Sequence, residues 1–330
     1  MKAITIRDKD FFPIITLIQT AKQKAFLTVN TELINLYWNI GEHISKKIKS
    51  AQWGESVVKE LAGFIAQKYP EFKGYSDKNL WRMKQFYEAY LEEPKLSPLV
   101  RQLSWTHNMI ILAKAKSLEE REFYLRLSIA ESYSKRELER QLDSGYFERS
   151  MISTKKLSPA VRQIRPELAN VFRDTYIFDF LSLPEKYSEK DLQLALIKNF
   201  KQFILEFGKD FAFVGEEYKV QVGKSDFFID LLFYHRELRC LVAFELKVEE
   251  FKPEFVGKLN FYLEALDRDV KKKHENPSVG IILCKSKDDE IVEYALSRNL
   301  SPALVSEYKI KLIDKNILKR KLQELYLISS

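Results

Sequence analysis

Three side chains in the second half of the chain have types and spacing that could do chemistry together: Asp230, Glu245 and Lys247. Asp230 sits inside the apolar run Phe227-Phe-Ile-Asp-Leu-Leu-Phe-Tyr234, and Glu245 and Lys247 end a second run, Cys240-Leu-Val-Ala-Phe-Glu-Leu-Lys247. An antiparallel hairpin with its turn centred between Glu237 and Leu238 sets Asp230 opposite Glu245, with Cβ atoms roughly 4.5–5.5 Å apart. Lys247 lies two residues beyond Glu245 and projects from the same face. Two carboxylates facing each other in apolar strands repel, and burial disfavours their charged forms. A divalent cation removes that cost. Mg²⁺ takes hard oxygen ligands, often one or two carboxylates completed by phosphate and water. The ion polarises a phosphate and acidifies a bound water, while a lysine holds that water or offsets charge at phosphorus. The chemistry would be phosphodiester hydrolysis. On the pattern alone a second reading is equally open, in which the carboxylates are solvated or simply ion-paired with Lys247.

The elements that would position these residues follow from periodicity. Residues 10–150 read as helix: Phe12 to Lys49, Val57 to Tyr69, Ser76 to Tyr90, Leu118 to Ile129 and Ser134 to Leu142 carry apolar residues at helical spacing. Ser134-Lys-Arg-Glu137 has capping-box spacing. Residues 151–185 carry Pro159, Pro166 and Pro184 and read as a linker, although Phe172, Tyr176 and Phe178 are too apolar for a free tether. Residues 186–330 alternate. A helix over Glu189 to Phe207, ending at Gly208, precedes strands over Phe211 to Val222, Phe227 to Tyr234 and Cys240 to Val248. Helix Pro253 to Val270, strand Val279 to Cys284, helix Asp288 to Ser297, strand Ala303 to Val305 and helix Lys315 to Tyr326 follow. The fold class is α+β overall: an all-helical N-terminal domain, then an α/β domain with a mixed central sheet.

The 330 residues, 45% hydrophobic and 31% charged, have ample material for packed cores, and the net charge of +7 permits a nucleic-acid partner without requiring one. Cys240 and Cys284 lie in apolar strand-like runs and are expected as buried thiols in a reducing compartment. No Cys/His spacing suggests zinc, and no apolar run reaches membrane length, so a cytoplasmic location and no membrane partner are expected.

Larger blocks carry a resemblance. Phe227-Phe-Ile-Asp-Leu-Leu-Phe-Tyr-His235, Glu245-Leu-Lys247 and Phe251-Lys-Pro-Glu-Phe-Val-Gly257 together resemble the YhcG-type family of PD-(D/E)XK nuclease-domain proteins. Phe211-Ala-Phe-Val-Gly215, Asn260-Phe-Tyr-Leu263 and Gly280-Ile-Ile-Leu-Cys284 extend the match. Tyr37-Trp-Asn-Ile-Gly41, Ser104-Trp-Thr-His107 and Arg121-Glu-Phe-Tyr124 look like that family's N-terminal helical domain. The resemblance implies a restriction-endonuclease-like (PD-(D/E)XK) core and Mg²⁺-dependent cleavage of nucleic acid, with Mn²⁺ as a substitute. It implies Asp230 and Glu245 as catalytic acids and metal ligands, Lys247 as the catalytic lysine and the Leu246 backbone carbonyl as a further ligand. Two departures stand out. Gln193 occupies a place on the first helix where relatives lead one to expect an acid; Glu189 and Asp191 are near, and Glu206 and Glu217 are further acidic candidates. Lys258 stands where relatives tend to have Gln, as a phosphate contact or a solvated helix residue.

His235, Arg236 and Arg239 form a basic turn that would grip a phosphate backbone or simply be polar. Lys78 and Arg82 are the corresponding candidates in the helical half. His107 reads as a satisfied structural histidine. The leading expectation is an endodeoxyribonuclease whose helical domain serves targeting or assembly, with DNA, a second copy of the chain and partner proteins of a defence or mobile-element system as its partners. A DNA-binding or assembly protein with weak or no cleavage, and a resolvase of Holliday-junction type, remain open beside it.

Overall fold

The computed structural model describes residues 6–50, 53–152 and 171–329. The chain divides into two compact units, Met1–Leu142 and Asp143–Ser330. The first is helical: α1 (Ile6–Lys49), α2 (Glu55–Lys68), α3 (Asp77–Tyr90), α4 (Ser97–Gln102), α5 (Trp105–Lys114), α6 (Leu118–Glu131) and α7 (Lys135–Asp143). Serine side chains start several of them. Ser76, Ser104 and Ser117 each accept from the backbone N–H three residues on. The Ser134–Glu137 box forms as its spacing predicts, with Ser134 N–H donating to Glu137 Oε2 at 2.6 Å. The short α4 and α5 escaped periodicity, because six and ten residues give too few turns to repeat a pattern. His107 lies between Ser104 Oγ (2.7 Å) and the Tyr133 carbonyl (2.8 Å), a structural histidine. Tyr37, Ile44, Val58, Leu80 and Met83 make a core between α1, α2 and α3.

The second unit contains α8 (Tyr146–Ile152), β1 (Thr175–Ile177), α9 (Glu189–Lys198), α10 (Phe200–Phe207), β2 (Phe211–Val222), β3 (Ser225–His235), β4 (Cys240–Leu246), α11 (Glu254–Ala265, continued by a π turn over Leu266–Val270), β5 (Val279–Cys284), α12 (Asp289–Leu296), β6 (Ala303–Lys309) and α13 (Lys315–Ser329). The strands form one mixed sheet in the order β1-β6-β5-β4-β3-β2. β2, β3 and β4 are antiparallel; β4, β5, β6 and β1 are parallel, which the crossovers through α11 and α12 allow. Each face of the sheet has its own core. Leu192, Leu196, Phe203 and Phe207 from α9 and α10 cover one side. Val256, Leu259, Tyr262, Leu263 and Val292 from α11 and α12 cover the other. All residues of β4 and β5 are buried, as strands sandwiched on both faces must be. Cys240 and Cys284 are free, buried thiols.

Several expected boundaries move. The C-terminal part of the expected linker belongs to the sheet: β1 pairs with β6, and Tyr176, Ile177 and Phe178 are fully buried. Pro159 and Pro166 lie outside the described residues. The single helix expected over Glu189 to Phe207 is two, broken at Asn199 (φ −104, ψ 34). There the Asn199 amide donates to the Ala195 carbonyl, the local competition with the helix ladder that asparagine favours. β6 runs to Lys309 rather than Val305, since Ser306, Glu307 and Lys309 hid a strand whose Ser306 hydroxyl donates to the Arg173 carbonyl at 2.7 Å.

Gly280 on β5 decides how close α11 comes to the sheet. A Cβ there would lie 2.6 Å from Leu259 Cγ. Gly280→Ala is therefore expected to lower the unfolding free energy by about 1–3 kcal/mol, read from urea midpoints. Gly257→Ala, in open space on α11 itself, is expected to raise it by about 0.5–1 kcal/mol. Equal losses at both positions would mean that the helix does not depend on this close approach.

Candidate active site

The β3–β4 ladder runs from His235↔Cys240 to Leu231↔Phe244, the register that a turn between Glu237 and Leu238 dictates. Asp230 and Glu245 are the next pair, and there the ladder stops. Gln193 Nε2 donates to the Asp230 carbonyl at 2.8 Å, and Asp230 Oδ2 accepts the Leu246 N–H at 2.7 Å. The other edge of β3 is also irregular here. Glu217, the residue of β2 opposite Asp230, has φ 43, and no Glu217–Asp230 pair forms. The pleat changes phase at this point: Leu231 and Phe233 face the α9–α10 core, whereas Ile229, also at an odd position, faces α11. Bulges of this kind redirect side chains beside functional sites. Asp230 thus lies where β3 parts from β4 and where its pairing with β2 is interrupted, to resume at Tyr218↔Ile229.

Glu245 is fully buried. Its Oε1 takes Lys247 Nζ at 2.9 Å and Lys258 Nζ at 2.6 Å, while its Oε2 has no hydrogen-bond partner among the described residues. Lys247 Nζ also reaches Glu189 Oε1 at 2.9 Å and lies 5.3 Å from the Phe255 ring centre. Burial pulls the Lys247 and Lys258 ammoniums down, but their carboxylate contacts, chiefly Glu245, outweigh it and hold both above the ordinary lysine value. Burial and the facing Glu245 carboxylate push the Asp230 carboxyl up to about 6, against the Leu246 N–H and the two lysines.

The remaining sequence candidates divide. Gln193 and Lys258 stand in the site through the contacts above; Lys258, expected as a phosphate contact or a solvated residue, pairs with Glu245. Glu189, one turn before Gln193 on α9, reaches Lys247 Nζ at 2.9 Å, and helical i, i+4 spacing on a capped helix was the signal that could have singled it out. Asp191 is used by the α9 capping box with Ser188. Glu206 is buried against Arg173 (2.8 Å) and accepts the Ile177 N–H, a structural ion pair. Glu217 is exposed and pairs with Lys190 at 3.0 Å. His235 corrects the expectation of a basic turn that grips phosphate. It is buried against Phe211, its Nδ1 accepts the Leu238 N–H, and burial pulls its pKa to about 4. Arg236 and Arg239 are exposed but share the closed end of the hairpin, about 17 Å along the strand from Asp230. Lys78 and Arg82 are exposed one turn apart on α3, in the helical unit.

The donor set fits a hard divalent cation. Among the described residues no group of three His, Cys, Asp or Glu side chains makes a ready cage. Mg²⁺ does not need one, being content with one or two carboxylates plus carbonyl, water and phosphate oxygens. The unpartnered, buried Glu245 Oε2 beside a carboxyl already forced upward is the feature that a cation would satisfy. In the metal-free protein Asp230 is a cost. Its folded pKa lies above the ordinary 3.8, so the penalty is absent below about pH 4, grows as pH rises and is complete above about 6. Asp230→Asn, which keeps an acceptor for Leu246, is expected to stabilise the metal-free protein by on the order of 2 kcal/mol at pH 7.5 and by nothing at pH 3.5. Thermal melts in chelator at the two pH values check this; an equal shift at both would remove the electrostatic explanation.

A model of the YhcG PDDEXK nuclease domain matches residues 169–323, and a model of the DUF1016 N-terminal domain matches residues 13–149. YhcG of Escherichia coli (strain K12), a nuclease by name, is 31% identical over 340 aligned positions, covering 92% of this chain and 90% of that protein. Among solved structures, a repair endonuclease from Pyrococcus abyssi aligns at 13% identity and a TM-score of 0.26, over 40% of this chain and 50% of its own. An EndoMS–dsDNA complex aligns at 17% identity and a TM-score of 0.26, over 38% and 45%. The sheet with Asp230 and Glu245 at its frayed hairpin end falls within the nuclease-domain match, the helical unit falls largely within the other, and the chain belongs to the YhcG family of PDDEXK nuclease-domain proteins.

Proposed function

We propose that this protein is a metal-dependent endodeoxyribonuclease that hydrolyses DNA phosphodiester bonds at Asp230, Glu245 and Lys247, with the helical unit serving targeting or assembly. The observation that carries the reading is the divided state of the buried Glu245 carboxylate: two ammoniums on one oxygen and nothing on the other. Asp230, Glu245 and the Leu246 carbonyl would hold Mg²⁺, or Mn²⁺ in its place, which would supply Lewis-acid polarisation of the phosphate and a more acidic water. The chain's own residues do the rest. Lys247, held protonated between Glu245 and Glu189, is a fixed cation for the charge that builds on phosphate oxygens during attack. Glu189 is its positioning residue, sharing the ammonium with Glu245 at 2.9 Å from each. Gln193 fixes the Asp230 backbone and takes no part in acid–base chemistry. Lys258 is half exposed and, among the described residues, pairs with Glu245 alone of the acids, so it is the cation best placed to change partner, from Glu245 in the metal-free site to a DNA phosphate in the loaded one.

A second reading keeps one specific observation: with Gln193 in place of an acid, cleavage is weak and the chain acts as a DNA-binding or assembly protein. Assays on supercoiled, linear, flapped and four-way DNA with Mg²⁺, Mn²⁺ or chelator separate the two. Metal-dependent cutting lost by at least 100-fold in both Glu245→Gln and Lys247→Ala, with folding intact, is the expected result. DNA binding without cutting on any substrate would replace the first reading by the second, and preference for four-way DNA would mark a resolvase. Lys258→Gln is expected to tighten Mg²⁺ binding about three- to tenfold by calorimetry, since it removes a competing cation from Glu245. Weaker binding in that variant would mean that Lys258 supports the metal-binding state rather than opposing it.

A further inference from the structure

Helix α1 is 44 residues long, about 66 Å, whereas α3, against which its C-terminal half packs, has 14. The packed face carries Ile34, Tyr37 and Ile44, all buried. Another face carries a second apolar stripe in two runs, Phe11, Ile15 and Ile18, then Val29, Leu33 and Leu36, between 37% and 69% exposed, with Lys22 and Ala25 on the same face between them. At its C-terminal end the stripe runs into an apolar groove of about 700 Å³, walled by Ile40 of α1, Leu61 and Ile65 of α2, and Tyr69 and Phe72 beyond. Stripe and groove lie on one continuous helix, with Phe11 and Asn39 roughly 40 Å apart along its axis. No chain can lay the start of its own stripe into its own groove.

We infer that a second copy of this chain covers both, through two α1 helices packed antiparallel about a two-fold axis at Leu27. That axis brings Ile18 to Leu36, Ala25 to Val29, and Phe11 to His43 at the groove, so the apolar N-terminal end of each helix fills the groove of the other. It also brings Lys22, the one charged residue within the stripe, to the exposed Glu32 of the other copy, twice over. A parallel pairing would set Lys22 against Lys22 and leave both grooves open. A self-complementary surface is what a two-fold contact requires. Covering the stripe and groove mouth would bury on the order of 800 Å² per copy, the size of a standard specific interface. The pairing is independent of the nuclease reading, and its readout is mass.

Sedimentation of the full-length chain is expected to give twice the 38.9 kDa of one copy, and Leu36→Glu is expected to give a monomer with unchanged helicity. Lys22→Glu and Glu32→Lys are each expected to raise the dimer dissociation constant roughly tenfold, and the double exchange to restore it. Because both positions are exposed, loss of fold does not confound the exchange. Ile18→Cys protein mixed with Leu36→Cys protein is expected to cross-link on oxidation, the two native cysteines being buried. A wild-type monomer at tens of micromolar would overturn the inference and leave an apolar helix of another protein as the occupant. Failure of the double exchange to restore association would overturn the antiparallel register.

Discussion

The structure around the site depends on one constraint: a carboxylate is held in the middle layer of a sheet covered on both faces. Every residue of β4 is buried, and Glu245 has no exposure at all. An ionised group so placed costs several kcal/mol unless charge and hydrogen bonds compensate it. Compensation cannot come from within the sheet, because the neighbours there are Asp230, itself a carboxyl, and the apolar Phe244, Leu246 and Ile282. It comes from outside, and that is possible only near a strand end. Glu245 is the penultimate residue of β4, beyond the last β3–β4 pair, where Lys247 and Lys258 can reach it.

Two helices on opposite faces meet that requirement. α9 presents Glu189 and Gln193 one turn apart, the first holding Lys247 and the second holding the Asp230 backbone. Its N-terminus is fixed by the Ser188–Asp191 box, which sets the turn that carries Glu189. α11 presents Phe255, Lys258 and Tyr262 on one face, the aromatic rings beside the lysine ammoniums and the Tyr262 hydroxyl donating to the Phe228 carbonyl at 2.7 Å. Gly280 lets that helix come close enough for Lys258 to touch a buried oxygen. Packing of apolar residues and placement of charges are here one problem, solved by the same two elements.

How much of this the sequence revealed follows from the range of each interaction. The hairpin was legible because a turn of fixed length fixes register, and register fixes which carboxylates meet. The helical half, its caps and the order of sheet elements were legible because they repeat locally. What was hidden depended on distant partners. β1 is three residues among prolines, and only β6, more than a hundred residues away, makes it a strand. Lys258 looked like any helix lysine, since nothing nearby in the chain marks contact with Glu245. His235 misled by its neighbours: Arg236 and Arg239 suggested a basic turn, while alternation with Leu231 and Phe233 already placed it on the buried face. Glu206 was a fair acidic candidate from its helix, but Arg173, its partner, comes from the segment read as linker.

The charge balance of the cluster gives the arrangement its direction. Asp230, Glu245 and Glu189 bring three negative charges when ionised, and Lys247 and Lys258 bring two positive ones. One negative charge is left over in a poorly solvated site, and Asp230, the carboxyl without a lysine partner at hydrogen-bond distance, carries the strain as a raised pKa. A proton on Asp230 cancels the excess at low pH. A divalent cation over-cancels it, leaving one positive charge, and a phosphodiester anion then brings the cluster to neutrality. A phosphodiester alone would deepen the negative excess, so metal and substrate each lower the cost of admitting the other. Were Lys258 absent, the empty site would be more negative and would favour metal, but in the proposed reading the loaded site would lack a cation for the DNA backbone. On that reading, lysine at this position shifts part of the site's affinity from the ion to the substrate.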